Sequence, residues 1–135
     1  MAELCRGWVC VTNLRNLELI RFLRVYGVSS RGKRTMEKFR KGDLLFLYVA
    51  SLGIVAVGKV VSELISGVSD EDKYRYPFRV RIELLWHING DPSRAVPLFP
   101  QKNKDVIVEP AFTVRTIHPL TGRQCAHLLG LIGVG

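Results

Sequence analysis

The sequence contains none of the short motifs that mark common enzyme sites. It has no Walker loop, no GxSxG nucleophile elbow and no GxGxxG loop that opens a helix. The histidines, His87, His118 and His127, show no metal-ligand spacing such as HxxxH. The acidic run from Asp70 to Asp72 is typical of a solvated loop. We therefore expect no catalytic residue, no cofactor and no bound metal.

Cysteine is also scarce, with three residues in the chain, Cys5, Cys10 and Cys125. An odd and sparse set does not resemble the disulfide framework of a small secreted protein. No CxxC pair or paired histidine completes a zinc site either. We expect all three to be small buried or half-buried side chains.

Long apolar runs are absent. The first residues, MAELCRGWVCV, lack the basic start and apolar core of a signal peptide. The longest apolar stretch, from Leu44 to Val57, is interrupted by Ser51 and Gly53 and is too short to span a bilayer. These features favour a soluble, cytoplasmic protein with no membrane partner.

Acidic residues are outnumbered, because 20 Lys and Arg stand against 12 Asp and Glu and give a net charge of +8. A basic surface attracts polyanions and accelerates encounters with them. Charge alone leaves three alternatives open: a nucleic-acid binder, a protein of acidic membrane faces, and an ordinary basic soluble protein. With 135 residues, 47% of them hydrophobic, the chain fits one domain over residues 1–135.

Hydrophobic periodicity predicts an α+β fold. Alternating or continuous apolar runs indicate strands, and apolar residues three or four apart indicate helices. The predicted strands are Gly7–Val11, Leu44–Ala50, Ile54–Ser66, Phe78–Leu84 and Ala111–Ile117. The predicted helices are about Leu14–Val25 and Gly122–Leu131, with a helical turn near Met36 inside the basic segment Ser29–Lys41. Mostly consecutive strands favour a curved, mostly antiparallel sheet or open barrel flanked by helices.

Aromatic and polar residues gather around the first predicted helix. Thr12 and Asn13 precede it and Tyr26 follows it, while Tyr74, Tyr76 and Phe78 form a second group farther along. Aromatic faces stack bases, and Asn and Thr hydrogen-bond base edges. Structural alternatives stay open: Trp8 and Tyr26 could be core residues, Thr12 and Asn13 a helix cap, and the basic run a solvated face.

The order of several short pieces is similar to that of EVE domains. WVCVTN at Trp8–Asn13, followed by Asn16, resembles the opening of that family, and VYGV at Val25–Val28 stands where the family usually has Trp-Gly-Val. Further matching pieces are KGD at Lys41–Asp43, Leu47-Tyr48, VVSE at Val60–Glu63 and YPFRV at Tyr76–Val80. Together they cover about residues 7 to 85.

EVE domains belong to the PUA-like superfamily and are similar to YTH domains, which hold N6-methyladenine in an aromatic cage. The resemblance implies a PUA-like fold that binds RNA or DNA and reads a modified base. Tyr26 would form one wall of the pocket and Tyr76 a further wall. The implied base-binding residues are Thr12, Asn13, Asn16, Tyr26, Gly27, Val28 and Tyr76. For the nucleic-acid backbone, the basic segment offers Arg31, Lys33, Arg34 and Lys38.

Two other functions stay open at this point. ASCH-type relatives within the PUA-like group are thought to act on modified nucleosides, and an enzyme of that kind would use a set such as Lys33, Thr35 and Glu37 around the pocket. A basic face could also bind an acidic protein partner.

Overall fold

The computed structural model describes residues 5–50, 52–66, 76–97 and 117–133. Within them the chain forms a curled, mixed sheet with three helices, which confirms the α+β prediction. The strands are β1 (Gly7–Thr12), β2 (Val25–Val28), β3 (Leu44–Val49), β4 (Gly53–Val60), β5 (Ile65–Ser66), β6 (Phe78–His87) and β7 (Ile117–Pro119). The helices are α1 (Leu14–Leu23), α2 (Ser30–Met36) and α3 (Gly122–Ile132).

The strands follow the spatial order β2-β6-β4-β3-β1-β7, with β5 also paired to β6. β1 and β3 are parallel and all other pairs are antiparallel, as a mostly antiparallel sheet requires. Register shifts at Leu47/Tyr48 and Val57/Gly58 mark bulges in β3–β4 and β4–β6. Because bulges bend strands and increase their twist, they help the sheet to curl into a half-barrel.

Both faces of the central strands are buried. Trp8 and Cys10 of β1 point into a core shared with α1 and α2, whereas Val9 lies in a second cluster with α3. β3 alternates in the same way, with Leu45 in the first cluster and Phe46 in the second. Covering a sheet on both sides explains why β3 is apolar without interruption.

Asn13 and Arg24 mark the two ends of α1. Asn13 caps the start of α1 by accepting a hydrogen bond from the backbone N–H of Asn16 (2.8 Å). Arg24 ends it in the left-handed conformation (φ 58°), and its N–H donates to the carbonyl of Ile20. The predicted helix was therefore too long, because Val25 and Tyr26 continue its apolar spacing but belong to β2.

The remaining elements agree with the predictions within a few residues. Thr121 caps α3 through a complete capping box with Gln124. The predicted strand Ile54–Ser66 is divided into β4 and β5. The predicted strand Ala111–Ile117 lies outside the described residues except for Ile117, which opens β7.

All three cysteines are buried or half-buried, as predicted, but two of them form a disulfide that the sequence did not predict. Cys5 and Cys125 form a disulfide with their Cα atoms 6.0 Å apart, although 120 residues separate them in sequence. The packing of α3 against the start of β1 brings Cys5 and Cys125 together. Spacing within a short segment cannot predict a contact of this kind. Cys10 is buried and unpaired, as expected.

The buried carboxylate of Asp43 settles the position of Trp8. Its Oδ2 accepts hydrogen bonds from Trp8 Nε1 (2.9 Å), from Arg6 Nε (3.0 Å) and from the backbone N–H of Arg40 (3.0 Å). Trp8 also packs against Phe39, with ring centroids 5.1 Å apart. Trp8 is therefore a core residue, which was one of the alternatives for it. In the described residues, no helix has the length and apolar character that crossing a membrane would require.

Candidate functional site

A cavity of about 230 Å³ opens where β1 ends and β2 passes the first turns of α1 and α2. The half-barrel leaves this space because β1 and β2 are separated in the sheet by β3, β4 and β6. We call it the base pocket, after the residues that the EVE resemblance predicts to bind a base. It is lined by Val11, Thr12, Asn13, Asn16, Tyr26, Gly27, Val28, Ser29, Gly32 and Tyr76.

Tyr26 joins the two strands across this gap. Its hydroxyl donates to the carbonyl of Val11 (3.2 Å), so a side chain connects β2 to β1 where no backbone ladder does. Burial raises the pKa of the Cys10 thiol well above its usual value, and a hydrogen bond with Tyr26 partly opposes that rise. Tyr26 is only 1% exposed. Its ring therefore supports the pocket from the core side and has no open face on which a base could stack.

The first turn of α1 supplies the amides. The Asn13 side-chain oxygen accepts the capping hydrogen bond of α1, so the NH₂ group of this exposed lining residue is the part of the side chain that could donate to a ligand. Asn16 Nδ2 donates to the hydroxyl of Tyr76 over 3.4 Å, which is long for such a bond. A ligand with a better acceptor can replace that weak contact at little cost.

Tyr76 is the aromatic wall with accessible surface, since it is half-buried. Its backbone carbonyl accepts a 2.8 Å hydrogen bond from Nε of Arg79, a residue that is 9% exposed and paired with Gly27 in the β2–β6 ladder. A buried guanidinium thus fixes the backbone of Tyr76 beside the pocket.

The start of α2 forms the remaining side. A Cβ on Gly32 would lie 2.8 Å from Cβ of Val28, so a glycine is needed for α2 to pack this closely on β2. Ser29 occupies the N-cap position of α2 without a side-chain cap hydrogen bond, which leaves its hydroxyl beside the pocket. Val11, Ser29 and Gly32 also line the pocket and were not predicted to, since the only signal for any of them was the glycine residue at position 32.

All ten lining residues carry uncharged side chains. A volume of about 230 Å³ is smaller than the roughly 300–1,000 Å³ of pockets for drug-sized molecules. The pocket therefore suits one neutral ring with hydrogen-bonding edges and does not suit a phosphate group.

Positive charge lies beside the pocket and outside it. Arg31 and Arg34 are exposed on α2, and Lys38 is exposed in the turn after it. Lys33 Nζ sits 5.1 Å from the ring centroid of Phe78, in a cation–π contact. The four predicted backbone-binding residues thus share one segment whose first turn borders the pocket.

The seven residues predicted to bind the base all line the base pocket. Tyr74 lies outside the described residues. The set Lys33, Thr35 and Glu37, considered for an enzyme, lies on α2 and at its end, and none of the three lines the pocket.

The chain is similar to some known proteins in sequence and to others in structure. No family model matches the chain. The UPF0310 protein PH1033 of Pyrococcus horikoshii is 32% identical over 92 residues, which are 56% of this chain and 63% of that protein. The UPF0310 protein PYRAB08750 of Pyrococcus abyssi is 33% identical over 89 residues, with the same coverage. The chain therefore matches less than two thirds of the length of these relatives.

Several solved structures share the fold at low sequence identity. The YTH domain of the Zygosaccharomyces rouxii MRB1 protein, solved with N6-methyladenosine RNA, has a TM-score of 0.67 and 15% identity, covering 96% of this chain and 88% of its own. The YTH domain-containing protein mmi1, solved with RNA, gives 0.65 and 11%, covering 95% and 81%. A hypothetical protein from Leishmania major gives 0.61 and 13%, covering 98% of each chain. This chain therefore has the fold of YTH domains.

Proposed function

We propose that this protein is an EVE-type nucleic-acid reader that accepts a modified base, turned out of its strand, in the base pocket. One observation carries the proposal. The seven residues that the EVE resemblance assigns to a base converge on one uncharged cavity beside a basic helix. The proposal is supported by the fold, which is shared with YTH domains solved with RNA and with N6-methyladenosine RNA.

In this proposal, different residues provide the stacking, the hydrogen bonds and the phosphate contacts. Tyr76 offers the aromatic face, and stacking of one base on such a face contributes roughly 1–3 kcal/mol. Thr12 and the NH₂ group of Asn13 are placed to hydrogen-bond the base edge. Arg31, Arg34 and Lys38 hold the phosphates of the flanking strand. Tyr26 then acts as a support that keeps β1 and β2 at the right distance, and no longer as the stacking wall.

Selectivity for a methylated base would come from the apolar part of the lining, Val11 and Val28. Burying one methyl group contributes about 0.8 kcal/mol, which corresponds to roughly a fourfold preference. Replacement of the long Asn16–Tyr76 hydrogen bond by a ligand acceptor would add to binding without adding to that preference.

The test compares two short single-stranded RNAs that differ in one N6-methyl group, with the same pair in DNA, by fluorescence polarisation. Wild-type protein should prefer the methylated strand, and Tyr76→Ala should weaken its binding by about tenfold or more. The matched control is Phe22→Ala, since Phe22 is 85% exposed on α1 and does not line the pocket. Equal binding of both strands and of a panel of other modified bases, unchanged in Tyr76→Ala, would contradict the proposal.

A further inference from the structure

A second cavity, of about 170 Å³, lies on a side of α1 adjacent to the base pocket. Its floor is apolar, and its rim carries charged and polar groups. It is lined by Leu14, Leu17, Glu18, Arg21, His87, Ile88, Asn89, Gly90 and Pro92. None of these residues lines the base pocket.

His87 gives this cavity a defined hydrogen-bonding character. Its Nδ1 accepts a 2.9 Å hydrogen bond from the backbone N–H of Asn89, so the neutral ring carries its proton on Nε2. Burial lowers the pKa of His87 below its ordinary 6.5, and the charges of Arg21, Arg24 and Arg94 lower it further, against a smaller opposing effect of Glu18. Near neutral pH the ring is therefore an uncharged N–H donor.

Arginines surround the mouth of the cavity. Arg21 lines it and pairs with Glu18, with Nη1 of Arg21 3.1 Å from Oε1 of Glu18. Nη1 of Arg94 lies 3.4 Å from the carbonyl oxygen of Ile88 and so stands at the rim. Of the described residues that line the cavity, Glu18 alone is acidic. The local charge is positive, and part of it is held by a salt bridge that an incoming anion would weaken.

The two cavities share the first turns of α1. Asn13 and Asn16 line the base pocket, and Leu14 and Leu17, the next residue in each case, line the second cavity. Consecutive helical residues point about 100° apart, so the cavities lie on adjacent sides of the helix. A helix with its side chains is about 10–12 Å across, so the two cavities are separated by no more than about one helix diameter.

We infer that the second cavity binds the nucleotide next to the one in the base pocket. Its base lies on the apolar floor of Leu14, Leu17 and Pro92 and accepts a hydrogen bond from Nε2 of His87. Its phosphate contacts Arg21 and Arg94. This inference rests on the proposed function of the base pocket, because it requires a single strand that is already anchored there.

The experiment measures binding of a short RNA with one central N6-methyladenosine, and of the free N6-methyladenosine nucleoside, over a range of salt. Arg21→Gln with Arg94→Gln should weaken RNA binding about tenfold and leave nucleoside binding unchanged. The slope of log affinity against log salt should fall by about 0.7, since the two arginines contact one phosphate and each phosphate contact to a single strand contributes about 0.7. Arg24 is left intact because it ends α1 in the left-handed conformation.

Two single variants sharpen the result. Arg15→Gln removes the same charge from the same helix at an exposed position that lines neither cavity, and should leave the RNA affinity within about twofold of wild type. Glu18→Gln removes the carboxylate that pairs with Arg21 and should tighten RNA binding a few-fold.

Each outcome tests either nucleotide binding in the second cavity alone or binding in both cavities. RNA binding by the double variant equal to that of Arg15→Gln, with an unchanged salt slope, would overturn the second cavity alone and leave the base pocket standing. An equal loss of nucleoside and RNA binding would also contradict it, since the arginines would then act on the pocket itself. Failure of wild-type protein to bind either probe would overturn both proposals together.

Discussion

The two sides of the base pocket differ in how they are held. On the strand side, Tyr26 and Val28 are each 1% exposed and belong to the hydrophobic core. On the helix side, Asn16 and Tyr76 are half-buried and Asn13 is exposed. The Asn13 side chain caps α1, and the side chains of Asn16 and Tyr76 share one long hydrogen bond. The pocket thus has one half that is buried in the core and one more exposed half, which in our proposal faces the ligand.

This difference separates stability from recognition. Core side chains contribute through packing, so their removal leaves a cavity whose cost is measured in unfolding. Half-exposed side chains contribute little to unfolding and can change partner when a ligand arrives. Variants on the strand side should therefore lower stability first, and variants on the helix side should lower affinity first.

The largest expected effect is that of Tyr26→Ala. Removing a fully buried aromatic ring should lower the free energy of unfolding by about 3–5 kcal/mol, as measured by urea denaturation. Tyr26→Phe is the control, because it keeps the ring and loses the hydroxyl, with its hydrogen bonds to Val11 and Cys10, for about 1 kcal/mol per bond. If Tyr26→Ala kept wild-type stability and lost only ligand binding, Tyr26 would belong to the recognition side and the comparison would fail.

A smaller loss is expected for Gly32→Ala. The new methyl group meets Val28 at 2.8 Å, so α2 must move outward, at a cost of about 1–3 kcal/mol by thermal or urea unfolding. Gly130→Ala on α3 is the matched control. A Cβ there meets nothing within 4 Å, and alanine should stabilise the helix by up to about 1 kcal/mol. Equal effects of the two variants would show that α2 does not pack tightly on the strand side.

The smallest change in stability is expected for Asn13→Ser. Serine keeps an oxygen that caps α1, so unfolding should change by less than about 0.5 kcal/mol, whereas the lost NH₂ donor should weaken binding of the modified base a few-fold. Asn13→Ala removes cap and donor together and should cost about 1 kcal/mol of stability. A serine variant that binds as well as wild type would remove Asn13 from the recognition side.

Local signals in the sequence were enough to predict part of the fold and part of the base pocket. The predicted starts of both long helices, and the predicted strand Leu44–Ala50, agree with α1, α3 and β3 within one residue. Asn16 and Tyr76 are 60 residues apart in the sequence but in contact in the fold. The motif pieces around Asn13 and Tyr76 named residues that line the base pocket. Such predictions depend on spacing within short segments.

Other features depend on contacts that no short segment contains. Arg24 ends α1 in the left-handed conformation, in which a glycine is more usual, so the sequence does not mark this end of the helix. β2 is defined by its pairing with β6. The Cys5–Cys125 disulfide depends on where α3 docks. The burial of Tyr26 depends on the curl of the sheet, which brings β2 opposite β1. These are tertiary effects, and the burial of Tyr26 is why we propose that it supports the pocket and does not form the stacking wall that the EVE resemblance implied.

The most direct measurement is a titration of the protein with N6-methyladenosine followed by amide NMR. The account predicts that shifts concentrate at the mouth of the base pocket, at Thr12, Asn13, Gly27 and Tyr76, with little change along α3. The same titration with adenosine should give the same pattern at weaker affinity. Shifts centred on α3 or spread evenly over the basic surface, identical for the two nucleosides, would contradict a pocket that reads a modified base.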